Sequence, residues 1–144
     1  MSPVQSMTLE ELLAEFDFLG GWDDRCDYLI DLGFELPEMP EGSKTEQNRV
    51  HGCQSNVWLV ARPIGSDPVR LEILADSDAL IVKGLIAVLL TVYSGRTLQE
   101  ILQTDIEQIF ERLGLEKHLS SQRRNGLYGM VKRIRSIAEQ YQNQ

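Results

Sequence analysis

Leu9, Leu12, Leu13 and Phe16 recur at the three- and four-residue spacing of one helix face, and Thr8 with Glu11 three residues later forms a capping box ahead of them. Gly20-Gly21 ends that helix. A second is expected from Trp22 to about Leu32, with Trp22, Cys26, Leu29 and Ile30 on its apolar side and Gly33 as its stop. Residues 35–48 are rich in proline, glycine and polar groups and read as a loop, a long one, and long loops often carry function. The period then changes to two. Val57, Leu59 and Ala61 alternate with Trp58, Val60 and Arg62, GSDP at 65–68 makes a turn, and Val69, Leu71 and Ile73 alternate again. This is the pattern of an antiparallel hairpin, and a short strand around Arg49–His51 would add a third.

The pattern turns helical once more after Asp76-Ser77-Asp78, expected to cap a helix from Ala79 to Tyr93. That stretch is apolar on nearly every side, which in a water-soluble chain marks a central, buried helix. Thr97 and Asp105 start two shorter helices, Gly114 breaks the chain, and Ser120 or Ser121 starts the last helix, with Leu127, Met130, Val131, Ile134, Ile137 and Tyr141 in one stripe. The expected class is α+β: a small antiparallel three-stranded sheet packed against helices, all within a single domain over residues 1–144.

Composition narrows the function. A net charge of −8 argues against a nucleic-acid binder, which offers a basic face to phosphates. The charge is uneven: residues 1–48 hold 12 acidic against 2 basic side chains, net −10, and the remainder 10 against 12, net +2. Lys117, Arg123, Arg124, Lys132, Arg133 and Arg135 follow one another with no acid between. Such a helix faces water or leans on the acidic part; docking of an acidic partner is the sharper reading. The start lacks the basic and apolar regions of a signal peptide, and the run Ala79–Tyr93, broken by Lys83, is too short for a bilayer. A cytoplasmic protein with reduced thiols is expected, with no membrane and no nucleic acid among its partners.

Two cysteines are present, without the two-residue spacing of a redox or zinc pair. Cys26, on the apolar side of a helix, reads as structural. Cys53 lies between a polar loop and a strand in Val50-His51-Gly52-Cys53-Gln54-Ser55-Asn56-Val57-Trp58. A reactive thiol needs that placement, held by a sheet yet reachable. Gly52 allows a bend or a close approach, and Gln54, Ser55 and Asn56 supply donors for a thiolate. A space-filling thiol is the competing reading. His51 has no third group to orient it, so a Cys–His pair is unsupported, and it stands only as a tuner of the thiol. Too few ligands are at hand for a metal site.

The chain resembles the SufE family of sulfur acceptors, including its CsdE-type members. The resemblance rests on Trp22, Tyr28–Gly33, Leu36-Pro37, Asn48–Trp58, Asp76–Ala79, Ile81–Leu85, Tyr93, Leu113–Leu115, His118–Ser120, Arg123, Asn125–Leu127 and Met130, in order through nearly the whole chain. Gly-Cys-Gln-Ser followed by Val-Trp is its most specific part. The resemblance implies a SufE/IscU-like fold and a persulfide carried on Cys53, taken from a SufS-type cysteine desulfurase that the protein stimulates. It also implies a SufBCD-type scaffold as receiver for iron–sulfur cluster assembly, and adds Asp78 and Arg123 to Gly52 and Gln54 as site environment or docking residues. No cofactor is expected on this chain, since the pyridoxal phosphate belongs to the desulfurase. The protein would be a transfer partner and not itself an enzyme. A sheltered Cys53 whose loop opens on meeting the donor is a further expectation. The competing readings are an adaptor that activates the desulfurase by contact, and a cluster scaffold, for which too few thiolates exist.

Overall fold

The fold is built round one helix that has no polar side to turn to water. The computed structural model describes residues 7–52 and 55–143. Two helices come first, α1 (Leu9–Leu19) and α2 (Trp22–Phe34), then strands β1 (Val57–Ile64) and β2 (Arg70–Ser77). Helix α3 (Leu80–Tyr93) leads into β3 (Arg96–Thr97), α4 (Leu98–Gln103), α5 (Ile106–Leu113), the single turn α6 (Leu115–His118) and α7 (Ser121–Gln142). Every residue of α3 from Gly84 to Tyr93 is buried, as its unbroken apolar sequence requires. The sheet covers one side of it and α2 another, while α7 packs against both α3 and β1.

β1 and β2 pair antiparallel from Val57↔Ser77 to Ile64↔Arg70. Val57, Leu59, Leu71, Ile73 and Ala75 are buried, the one-face pattern of a sheet lying on a core. The third strand is not the one expected. Arg49 makes only an isolated bridge to Trp58, because the chain turns away at His51-Gly52. β3 pairs instead with the start of β2, and the Gly95 N–H donates to the Leu71 carbonyl at 2.8 Å beside it. The expected caps form at Thr8 with Glu11, at Thr97 with Glu100, at Asp105 and at Ser120. The turn α6 was not anticipated, its four residues being too few to carry a period.

Gly33 does not stop α2, which runs one residue past it. Its role is packing. A Cβ on Gly33 would sit 2.8 Å from Lys83 Cβ, and one on Gly84 only 2.4 Å from the Leu29 carbonyl oxygen. The α2 and α3 backbones therefore touch, and nothing larger than hydrogen fits between them. Gly129 on α7 is different, since an added Cβ there meets neighbours at 3.7 Å or more. Gly84→Ala is expected to destabilise the fold by about 3 kcal/mol through overpacking. Gly129→Ala should be neutral or stabilise by up to about 1 kcal/mol through helix propensity. Urea unfolding of the two variants beside the native protein checks both signs.

Candidate functional site

Cys53 and Gln54 lie outside the described residues, so the site is read from the chain on either side of them. On the approach, Val50 is buried, and its N–H donates to the Val57 carbonyl at 2.8 Å. His51 and Gly52 then form an exposed turn, with Gly52 at φ +92°, a conformation that side chains with a Cβ rarely adopt. The His51 Nε2 lies 3.4 Å from Glu46 Oε1, an exposed contact at the surface. The long loop ahead of this turn is braced. Lys44 donates to Asp76 at 2.7 Å and stands 5.4 Å from the centre of the Trp58 ring, Asn48 donates to the Ser43 carbonyl, and residues 46–48 form a short 3₁₀ turn.

Asn56 fixes the departing side. Its backbone N–H donates to Asp78 Oδ1 at 3.1 Å and its side-chain amide to Oδ2 at 2.9 Å. In return the Asp78 N–H and the Ser77 hydroxyl both donate to the Asn56 carbonyl, at 3.3 and 2.7 Å. Asp76 and Asp78 are thus not the caps of α3, whose N-cap is Ala79 with no side-chain bond of its own. Both carboxylates face neighbouring chain segments: Asp78 holds Asn56, and Asp76 accepts from Lys44 and lies 3.5 Å from Lys83. Burial would push the Asp76 carboxyl up, but the Lys44 hydrogen bond, the Ser77 N–H and the two ammonium charges outweigh it, and the group sits below the usual aspartate value.

Beside this loop is a small pocket of about 40 Å³ between the starts of α3 and α7. Val82, Leu85, Leu127 and Met130 make its apolar wall, and Ser55, Gln122 and Arg123 its polar edge. Ser120 caps α7 by accepting from the Arg123 N–H at 3.2 Å. The positive end of a 22-residue helix, with Arg123 in its first turn, thus stands at one end of the pocket. Arg124 turns elsewhere, its guanidinium 4.0 Å from Glu116, which also accepts the Tyr128 hydroxyl. Of the expected site residues, Asp78 is tied to Asn56, and Arg123 lines the same pocket as Ser55. The pocket wall was hidden in the sequence, because Leu127 and Met130 read only as part of a core stripe.

Cys26 is half-buried and free, and burial, followed by Asp23 and Asp27, pushes its thiol up. A thiol held protonated is a poor nucleophile, in keeping with a structural role.

A family model described as "SufE: Fe-S metabolism associated domain" matches residues 10–138. The chain belongs to the SufE family. An uncharacterised SufE-like protein of Rhizobium meliloti is 48% identical over 134 residues, covering 92% of this chain and 95% of that one. Another, of Rhizobium etli, is 47% identical over the same length, covering 92% and 90%. The solution structure of a hypothetical protein from Thermus thermophilus superposes with a TM-score of 0.76 over the whole of both chains at 22% identity, and so shares the fold. Family membership ties this SufE chain to iron–sulfur metabolism. Among its described residues no helix is long and apolar enough to cross a membrane.

The depressed Asp76 pKa fixes a pH dependence. Because the folded value lies below the ordinary 3.8, the brace contributes in full above that pH and is lost as pH falls through the folded value. The stability difference between the native protein and Asp76→Asn should hold steady from neutral pH to about 5 and shrink below 4, as denaturant unfolding against pH will show.

Proposed function

We propose that this SufE chain accepts sulfur as a persulfide on Cys53 from a SufS-type cysteine desulfurase, stimulates that enzyme by removing its product, and delivers the sulfur to a SufBCD-type scaffold. The observation that carries the reading is the pocket edged by Ser55 and Arg123 at the start of α7. Covalent geometry keeps a residue two places before Ser55 within about 7 Å of it. A sulfur anion entering that pocket would meet a helix N-terminus and an arginine, the two surroundings that favour thiolate over thiol. The apolar wall offers shelter from water and oxidants, which a persulfide needs between transfers.

The chemistry is exchange at sulfane sulfur and needs no external oxidant or reductant. The Cys53 thiolate attacks the outer sulfur of the desulfurase persulfide. A new sulfur–sulfur bond forms at Cys53, the bond to the desulfurase cysteine breaks, and that cysteine leaves as thiolate. A second attack, by a receiver thiolate on the outer sulfur of the Cys53 persulfide, releases Cys53 unchanged. Asp78 and Asn56 fix one end of the loop during both steps, and the Gly52 turn supplies freedom at the other.

After incubation with a desulfurase and cysteine, intact-mass and peptide spectrometry should find about 32 Da added to the Cys53 peptide, the mass of one sulfur, and removed by a reducing thiol. Cys53→Ser should gain nothing. A native protein that stays unmodified while still accelerating the desulfurase would replace this reading with that of a contact activator.

A further inference from the structure

The basic run on α7 is not a uniform solvated face. Arg133 reaches back across the molecule and donates through Nη2 to the Gln47 carbonyl at 3.0 Å, with Nη1 at a longer 3.5 Å from the Arg49 carbonyl. Gly129, four residues earlier and so on the same side of the helix, lies under the next stretch of chain: a Cβ there would be 3.7 Å from the His51 carbonyl oxygen and 3.9 Å from Val50 Cγ1. One face of α7 therefore runs beneath residues 47–51. Those carbonyls belong to the 3₁₀ turn and the residue after it, and among the described residues this stretch meets the sheet at the isolated bridge of Arg49 with Trp58. A guanidinium suits this place, because its planar fork can hold two carbonyls in a fixed relation.

We infer that Arg133 is a positioning residue for the Cys53 loop, fixing the course by which the chain leaves Val50 for the Gly52 turn. The part of this that concerns sulfur transfer rests on the role proposed for Cys53; the anchoring itself does not. Lys44 on Asp76 braces the same segment, and Asp78 holds Asn56 on the departing side. The long loop ahead of the turn is a strap that sets where the turn begins.

Arg135 supplies a matched comparator. It lies two residues on and makes bonds of the same kind, from Nη1 to the Leu102 and Ile101 carbonyls at 3.1 and 3.5 Å, away from the loop. In the full-length protein, Arg133→Gln should speed amide exchange at residues 48–50 about tenfold, while Arg135→Gln leaves those amides at the native rate. At saturating desulfurase the rate of sulfur loading should fall about fivefold in Arg133→Gln, with the half-saturating concentration changed less than about twofold, as misplacement without lost docking requires. Arg133→Lys, which keeps the charge and so protects the fold, should lie between the two in exchange and recover part of the loading rate. Native exchange in both Arg133 variants, or equal losses in Arg135→Gln, would overturn the assignment. If the native protein takes up no sulfur, the proposed function fails but the anchor is still decided, by exchange and by the rate at which iodoacetamide alkylates Cys53 in the free protein. That rate should differ from native about threefold in Arg133→Gln and not in Arg135→Gln.

Discussion

The contact between the backbones of α2 and α3 at Gly33 and Gly84 sets the rest of the molecule. Because a Cβ at Gly84 would stand 2.4 Å from the Leu29 carbonyl oxygen, the two helices can approach this closely only where both side chains are hydrogen. The residues around that contact build the site. Val82 and Leu85, flanking Gly84, form the α3 side of the pocket, and Lys83 reaches Asp76, which also takes the ammonium of Lys44. A shift of α3 would therefore move the pocket wall and loosen the brace on the preceding loop together. The core and the candidate site share one support.

The loop that carries Cys53 is held at its roots by polar contacts of unequal kind. The departing root is local and reciprocal: Asn56 and the Ser77-Asp78 pair exchange four hydrogen bonds. The approaching root is held from a distance, by the Val50 N–H on β1, by Lys44 on β2 and by Arg133 on α7. Ion pairs at partly exposed positions contribute little to global stability, so these contacts matter more for where the loop starts and ends than for whether the protein folds. Among the described residues Arg123 makes no comparable tether. It stands at the pocket edge with Ser55 and Gln122.

Much of the fold was legible in the sequence because each element carried its own period and its own caps. The hairpin, the buried helix and the capping residues Thr8, Thr97, Asp105 and Ser120 all followed from local rules. What failed was long-range. Gly33 looked like a helix stop, since a glycine after an apolar run is ambiguous until its neighbour across the interface, Gly84, is known. Asp76 and Asp78 looked like caps, since a carboxylate ahead of a helix has that ordinary use; their partners, Lys44 and Asn56, lie more than twenty residues away. Arg49–His51 alternated like a strand, yet pairing stops at one bridge, and the two-residue β3 was too short to announce itself. At the site, the motif around Cys53 could be read from the chain, while Asp78 and Arg123 were pointed to by the family resemblance alone. The apolar pocket and the reach of Arg133 could not, because the basic run on α7 gives no sign of which cations turn inward.

The central claim is that sulfur passes through Cys53 itself, and the most direct test counts turnovers when no other acceptor is present. With a desulfurase, excess cysteine and no external reductant, the native protein should give a burst of alanine of about one equivalent per Cys53 thiol, then stop. Cys53→Ser should add nothing to the desulfurase's own burst. An equal burst from the serine variant would contradict the account and leave this SufE protein as an activator whose cysteine carries no sulfur.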